Sequence, residues 1–182
     1  MAVDPFTRCF ENLDLVANEE RYRLGLAQRF AYVLPEPRLI EAIARHSPIV
    51  EIGAGTGYWA YLLRLSGADV IAYDAAPPGG TVTNRYHPDV RPWSQVVNGD
   101  ATVLAAHGSR SLFLCWPPRY SSLWESLRFY RGPFILHIGD RGRTTARIAG
   151  LEERYELMEL HPATAMDARS QAELRIWRRV AS

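Results

Sequence analysis

The feature that most constrains this chain is a series of three glycines at alternate positions, directly after a short apolar segment. Residues 49–52 (IVEI) are typical of a buried strand, and Gly53, Gly55 and Gly57 follow them. Apolar residues then recur at helical spacing over residues 59–63. A chain that reverses sharply between a strand and a helix needs backbone angles that side chains disfavour, and glycine adopts them readily. The pattern therefore predicts a strand, a tight turn and a helix.

A second apolar segment continues this unit. It covers residues 69–73 and ends in the carboxylate of Asp74. The first turn of the preceding helix offers free amide hydrogens to an anionic or polar group. A carboxylate one helix and one strand beyond the turn suits hydrogen bonds from both hydroxyls of a ribose. We therefore predict a site for a nucleoside-containing ligand at the carboxyl ends of the parallel strands.

The glycine spacing distinguishes two classes of ligand. The dinucleotide fingerprint has glycines at relative positions one, three and six, and the sixth position is occupied here by Tyr58. This disfavours an NAD-dependent oxidoreductase. The observed pattern, Glu51-x-Gly53-x-Gly55-x-Gly57, instead resembles motif I of the class I S-adenosylmethionine-dependent methyltransferases.

This resemblance implies the fold. It covers about residues 47–180 and implies a seven-stranded, Rossmann-like α/β methyltransferase sheet whose last strand is antiparallel. Residues 1–46 look helical and are predicted to form an N-terminal extension, either as a cover for the sheet or as a lid over the substrate site. Extension and core (residues 47–182) are predicted to form a single domain, since this length suits one hydrophobic core. Residues 75–92, rich in Pro, Gly and Asn, are predicted to be a long loop.

The resemblance also implies which residues hold S-adenosylmethionine. Glu51 and the three glycines belong to the motif that cradles it, and Asp74 is in the position that accepts the ribose hydroxyls. Residues 99–100 (GD) fit the end of the third strand, where an acid of the family accepts a hydrogen bond from the adenine amine. The next backbone amide, here that of Ala101, approaches the ring in the family. Asp100 equally suits the cap of the short helix that follows.

A second motif follows the apolar segment at residues 111–115. Trp116-Pro117-Pro118 resembles motif IV of the amino-methyltransferases, in which a polar residue precedes two prolines and an aromatic residue follows them. Here Trp116 occupies the polar position and Arg119 the aromatic one, which disfavours methylation of a base amine. The two prolines still stiffen the loop. Trp116 and Tyr120 are predicted to line a substrate pocket.

Candidate catalytic groups follow from the chemistry that the resemblance implies. Methyl transfer is an in-line displacement, so the protein mainly orients the reactants and excludes water. A general base is required only where the proton of the acceptor must leave early. Asp140, after the predicted fifth strand, is the first candidate by position, and Tyr120 is the second. Asp140 equally suits a helix cap or an ion pair with Arg141 or Arg143.

Composition narrows the substrate and the partners. The net charge is +1, and the 21 basic residues are all Arg, so no lysine base or Schiff base is available. The sequence contains no tail of like charges that would indicate a broad surface for nucleic acid. We therefore predict methyl transfer to a small molecule or a peptide side chain, with nucleic acid an unlikely partner. The alternatives are an exocyclic-amine methyltransferase of nucleic acid and a non-catalytic cofactor-binding protein of the same fold.

Neither a metal site nor a membrane segment is expected. Cys9 and Cys115 are far apart and lack the spacing of metal ligands, so both are interpreted as reduced thiols. No apolar run approaches the length of a membrane span. The N-terminal residues lack the basic and apolar regions of a secretory signal, and a cytoplasmic protein is expected.

Overall fold

The computed structural model describes residues 5–11, 19–117, 120–141 and 151–180, and within the first turn of the helix that begins at residue 120 it describes the backbone only. From residue 49 onward, α4 lies between β1 and β2, and α5 lies between β4 and β5. The α-helices are α1 (Pro5–Glu11), α2 (Glu19–Arg29), α3 (Pro37–Ala44), α4 (Tyr58–Leu65) and α5 (Tyr120–Phe129). The strands are β1 (Ile49–Ile52), β2 (Val70–Asp74), β3 (Val97–Asn98), β4 (Ser111–Cys115), β5 (Phe134–Asp140), β6 (Tyr155–Ala163) and β7 (Ala172–Arg179).

All seven strands form one sheet in the order β3-β2-β1-β4-β5-β7-β6. The first five strands are mutually parallel, and β7 lies antiparallel between β5 and β6. This confirms the predicted Rossmann-like sheet with its antiparallel last strand. The strand order reverses at β1, which has β2 on one side and β4 on the other. Ligands of open α/β sheets bind in the crevice at such a switch point.

The connection from β2 to β3 follows the prediction of a long loop. Residues 75–96 contain no helix among the residues that the structure describes. Pro77 and Pro78, followed by two glycines, prevent a helix from starting directly after β2. The sequence predicts the third strand at residues 94–100, but only Val97 and Asn98 pair with β2, and both are exposed.

The sequence leads to two further expectations for helices after β4. Ser122-x-x-Glu125 matches a capping box and predicts a helix that begins at Ser122, but α5 already includes Tyr120 and Ser121, so this prediction was wrong. Residues 144–152 are predicted to form a helix, and residues 144–150 lie outside the described residues. Among the helices that are described, none combines the length and the apolar character that a membrane span requires.

The core consists of two layers, one on each face of the sheet. Successive residues of β1 contribute to opposite layers, with Ile49 in one and Val50 in the other, as the period of a strand dictates. The first layer contains α2, α3 and α4, and the second contains the 3₁₀ helix Ala101–Ala106 and α5.

The N-terminal extension contacts the core at two places, through α1 and through the segment after α2. Phe6 of α1 stacks on Phe30 with ring centroids 4.9 Å apart, and Phe30 meets the edge of Tyr58 in α4 at 5.1 Å. Beyond α2, the amide of Leu34 donates to the carbonyl of Thr164 at 2.9 Å, in the connection between β6 and β7. The extension therefore covers one face of the sheet, as one of the two interpretations of the sequence expected.

Candidate functional site

The glycine turn between β1 and α4 has the backbone conformation that its sequence predicts. Gly53 has φ = +71° and Gly55 has φ = +52°, which is the left-handed region that glycine tolerates best. A Cβ atom added to Gly53 would meet no other atom within 4 Å, so the backbone faces open space at this point. At Gly57 the same atom would lie 2.7 Å from Val96 and 2.9 Å from Ser94, so this residue packs against the protein itself.

Asp74, the last residue of β2, holds this turn in place. Its Oδ2 accepts a hydrogen bond from the amide of Gly55 at 2.8 Å, and its Oδ1 accepts one from the amide of Ala76 at 2.8 Å. A carboxylate offers about four acceptor positions. Asp74 therefore braces two loops and retains one acceptor position on each oxygen for a ligand.

Glu51 lies in the middle of β1, below the glycine turn, with only 1% of its surface exposed. Burial raises the pKa of its carboxyl group to about 8, although Arg64 and a hydrogen bond from the backbone of Ala60 oppose this rise. Its Oε2 atom is buried and has no hydrogen-bond partner among the described residues. A buried, unpaired carboxyl oxygen in this position is suited to a cationic or hydrogen-bonding group above it.

A cavity of about 580 Å³ opens at the carboxyl ends of β1, β2 and β4. Six of the residues that the sequence predicted for the site line it: Gly53, Gly55, Asp74, Asp100, Ala101 and Trp116. Glu51, Gly57 and Asp140 are not among the described residues that line it. The side chain of Tyr120 lies outside the described part of the chain, although its backbone begins α5 near the cavity.

Asp100 closes the end of the cavity near β3. Its Oδ1 accepts hydrogen bonds from the amide of Thr102 at 2.9 Å and from the hydroxyl of Thr102 at 2.6 Å. These bonds lower the pKa of the exposed Asp100 carboxyl. The residue thus caps the 3₁₀ helix, which was one of its two predicted roles. Neither of these two hydrogen bonds involves Oδ2 of Asp100.

Trp116 forms the other end of the cavity, after β4. Its φ of +52° is unusual for a residue with a large side chain. The amide of Trp116 donates to the carbonyl of Ile138 at 2.8 Å, so the chain turns away from the sheet while still bonded to β5. Backbone strain of this kind is concentrated at functional sites.

Asp140 lies at the end of β5, in register with Ala172 of β7. Glu125 of α5, by contrast, lines the cavity. The sequence analysis interpreted Glu125 only as part of a helix cap. Its periodicity on α5 gave no signal of its position, because that depends on how the helix packs on the sheet.

The loop after β2 contributes a wall that the sequence analysis did not assign to the site. Asn84, Tyr86 and His87 of this loop line the cavity, together with Tyr32 from the segment between α2 and α3. Asn84 organises the loop, since its side chain donates to the carbonyl of Ala76 at 2.8 Å and accepts from the amides of Tyr86 and His87. A lone histidine and an asparagine in a loop carried no sequence signal of this arrangement.

His87 lies directly against the glycine turn. A Cβ atom added to Gly55 would be 2.4 Å from His87 Nε2, so the ring occupies the space beside this glycine. His87 Nδ1 lies 2.8 Å from the carbonyl oxygen of Gln28, at the end of α2. Burial lowers the pKa of His87, while the contact with Gln28 and the charge of Asp74 act against this shift.

Three consecutive carbonyls at the end of α2 are bound by side chains of the glycine turn and the loop. Gln28 bonds to His87 Nδ1, the carbonyl of Arg29 accepts from Trp93 Nε1 at 2.9 Å, and that of Phe30 accepts from the hydroxyl of Thr56. These are carbonyls that a helix end leaves without intrahelical partners. The N-terminal extension and the cavity are therefore one connected structure. Within the described ranges, no group of three metal-ligating side chains occurs.

Comparison with known proteins identifies the fold. No protein-family model matches the sequence, and neither does any curated protein. Among solved structures, the 23S rRNA methyltransferase ErmE matches with a TM-score of 0.55 at 16% identity, over 81% of this chain and 69% of ErmE. Protein 1320 of Thermoplasma acidophilum gives 0.53 at 18% identity, over 79% and 82% of the two chains. The methyltransferase domain of bacterial CtHen1-C gives 0.53 at 10% identity, over 87% and 97%.

These similarities agree with the strand order, the antiparallel β7 and the glycine turn after β1. The chain has the class I methyltransferase fold, and the resemblance drawn from motif I is confirmed at the level of the fold.

Proposed function

We propose that this protein is an S-adenosylmethionine-dependent methyltransferase. The observation that carries the proposal is the arrangement of Gly53, Gly55 and Asp74 at one end of the cavity. There, an exposed glycine backbone and a carboxylate with free acceptor positions face the same space. The fold supports it, because the cavity lies at the switch point of the sheet.

The residues present fit the cofactor. Asp74 would hold the ribose hydroxyls, and the end of β3, with Asp100 and the amide of Ala101, would hold the adenine. Glu51, with its unpaired buried oxygen below the turn, would form a hydrogen bond to a polar group nearby. When bound, S-adenosylmethionine supplies a methyl group from its sulfonium and becomes S-adenosylhomocysteine.

The acceptor is proposed to be a small molecule or a peptide side chain that enters between Trp116 and Tyr86. Single-ligand cavities measure about 300–1,000 Å³, and this one, at about 580 Å³, must hold both the cofactor and the reacting group of the acceptor. Aromatic walls with polar edges suit a planar acceptor. Glu125, which also lines the cavity, is proposed as the group that accepts a proton from it, and Asp140 and Tyr120 remain predictions.

A nucleic-acid acceptor is the second candidate. ErmE is a 23S rRNA methyltransferase, so the comparisons do not support the expectation that nucleic acid is an unlikely partner. One observation on this chain favours it. The guanidinium of Arg85 lies 4.8 Å from the centre of the Tyr86 ring, and both residues line the cavity. Such a pair can stack on a base and contact a phosphate.

Calorimetry with S-adenosylmethionine, S-adenosylhomocysteine and NAD tests the cofactor. We expect binding of the first two and none of NAD, and tight binding of NAD alone would exclude the proposal. Release of S-adenosylhomocysteine, measured over small aromatics, amines, peptides and oligonucleotides, then identifies the acceptor. Activity on oligonucleotides alone would replace the first acceptor class by the second.

A further inference from the structure

The imidazole of His87 is held in one orientation by contacts on several sides. The carbonyl of Gln28 is 2.8 Å from Nδ1, the ring of Tyr32 meets it edge-on at 5.6 Å, and Gly55 lies against Nε2. The amide of His87 also donates to Asn84 Oδ1 at 3.1 Å. The ring is 8% exposed, and it lines the cavity. Its position is therefore determined before any ligand binds.

The contact with Gln28 fixes the tautomer of the ring. A carbonyl oxygen can only accept a hydrogen bond, so Nδ1 must carry the proton. In a neutral imidazole the other nitrogen then has no proton and acts as an acceptor. Burial favours this neutral form, since it lowers the pKa of the ring. Nε2 of His87 is thus an acceptor at the wall of the cavity.

The neighbour of this acceptor is the site proposed for the ribose. A Cβ atom added to Gly55 would lie 2.4 Å from His87 Nε2, and the amide of Gly55 donates to Asp74 Oδ2. Asp74 is also close enough for its charge to act on His87. Each oxygen of Asp74 already accepts one backbone hydrogen bond. A ribose has two adjacent hydroxyl groups that can donate hydrogen bonds. If one of them donates to Asp74, His87 Nε2 is suited to accept from the other.

We propose that His87 is a cofactor-positioning residue whose Nε2 accepts a hydrogen bond from one ribose hydroxyl, next to the carboxylate of Asp74. This inference rests on the proposed function, because it concerns the same cofactor. It assigns a recognition role to the loop at residues 75–96, which takes the place of a helix. His87 thereby links the ribose to the end of α2 through Gln28.

The test measures binding by calorimetry rather than turnover. The ligands are S-adenosylhomocysteine, 5′-methylthioadenosine, which lacks the amino-acid part, and the 2′-deoxy and 3′-deoxy forms of the latter. The variants are His87→Phe, which keeps a ring but loses the acceptor, and His87→Gln, which offers an amide oxygen in its place. His46→Phe is the matched control, because His46 packs on Phe134, and its carbonyl accepts a hydrogen bond from Ser111 at the amino end of β4, away from the cavity.

We expect His87→Phe to weaken S-adenosylhomocysteine and 5′-methylthioadenosine by a similar factor, on the order of ten-fold for one hydrogen bond. The deoxy ligand that lacks the hydroxyl bound by His87 should bind the wild type more weakly than 5′-methylthioadenosine does, by a similar factor. Its affinity should not fall further in His87→Phe. His87→Gln should recover part of the loss, and His46→Phe should match the wild type.

Three results would overturn the inference. They are unchanged affinity in His87→Phe, a loss confined to S-adenosylhomocysteine, and binding of both deoxy ligands to the wild type as tightly as 5′-methylthioadenosine. The last result needs no variant, so it decides the matter even where His87→Phe does not fold. Failure of the wild type to bind any of the ligands would instead reject the proposed function itself, and the inference with it.

Discussion

The carboxylate of Asp74 and the amide of Gly55 are joined by a 2.8 Å hydrogen bond across 19 positions of sequence. The bond ties the end of β2 to the turn after β1, so the shape of the glycine turn depends on a residue of the neighbouring strand.

Asp74→Ala should therefore weaken the binding of S-adenosylhomocysteine at least ten-fold while the protein remains folded. The variant loses the proposed contacts to the ribose, and hydrogen bonds to a charged group contribute about 1.5–3 kcal/mol each. It also releases the amides of Gly55 and Ala76. Calorimetry measures the effect, and Asp69→Ala is the control, since Asp69 pairs with Arg110 at the opposite end of β2. Equal affinity in a folded Asp74→Ala would remove this carboxylate from the site.

Gly55→Ala should destabilise the protein more than Gly67→Ala. Both glycines have positive φ, but a Cβ at Gly67 meets nothing within 4 Å, whereas one at Gly55 meets His87. Gly67→Ala thus reports backbone strain alone, of about 1 kcal/mol. The sequence analysis attributed the glycines to the backbone angles of the turn, and the structure adds the ring of His87 as a cause at residue 55.

A double-mutant cycle isolates this contact. In a protein that already carries His87→Ala, the cost of Gly55→Ala should fall toward that of Gly67→Ala, as measured by urea unfolding. A cost that does not depend on His87 would show that the ring moves away from residue 55 without penalty.

Glu51 should make stability depend on pH in a specific direction. Burial raises the pKa of its carboxyl to about 8 in the folded protein, against an ordinary value of 4.5. Below pH 4.5 both states hold the proton, whereas between 4.5 and 8 only the folded state holds it. The folded state binds more protons than the unfolded state in this window. The free energy of unfolding therefore decreases as the pH rises from 4.5, and it levels off above 8.

Glu51→Gln should remove this part of the pH dependence. Urea unfolding at several values between pH 5 and 9 should give a smaller decrease with pH in Glu51→Gln than in the wild type. Glu41→Gln, at an exposed position of α3, serves as the control. Parallel curves for wild type and Glu51→Gln would mean that Glu51 ionises in the folded protein at its ordinary pKa.

Thr56→Val should destabilise the packing of α2 on the core. Thr56 is buried and donates its hydroxyl to the carbonyl of Phe30, which valine of similar shape cannot do. A buried carbonyl left without a donor costs about 1–3 kcal/mol. Thr56→Ser keeps the hydroxyl and should lose much less. Thermal unfolding of the two variants compares them, and equal midpoints would show that water satisfies Phe30.

Most strands could be located because they carry a local signal, whereas the number of strands and the antiparallel last strand were implied by the resemblance to the methyltransferases. Apolar runs such as residues 111–115 mark buried parallel strands, and the prolines after Asp74 exclude a helix. The position of Ser122 was misjudged because a capping box is also compatible with the interior of a first turn. The start of α5 lies at Tyr120, before the capping-box pattern, and the residues there carry no comparable sequence signal.

The wall of the cavity could not be predicted, for a different physical reason. His87 lies against Gly55, which is 32 positions away in sequence. The tautomer of His87 depends on Gln28, which is 59 positions away from it. These contacts arise from the path of a loop without periodicity, so no spacing in the sequence encodes them. The glycines, by contrast, are recognisable because the backbone angle that they permit is a local property.

The binding of the last carbonyls of α2 by Thr56, Trp93 and His87 has a consequence for protein engineering. An exchange of N-terminal segments between this chain and another protein of the same fold would bring in a helix end with no matching donors. Segments 1–35 and 84–96 should therefore be transplanted together. A chimaera that exchanges either one alone should express as a protein with a preserved sheet and an impaired ribose pocket.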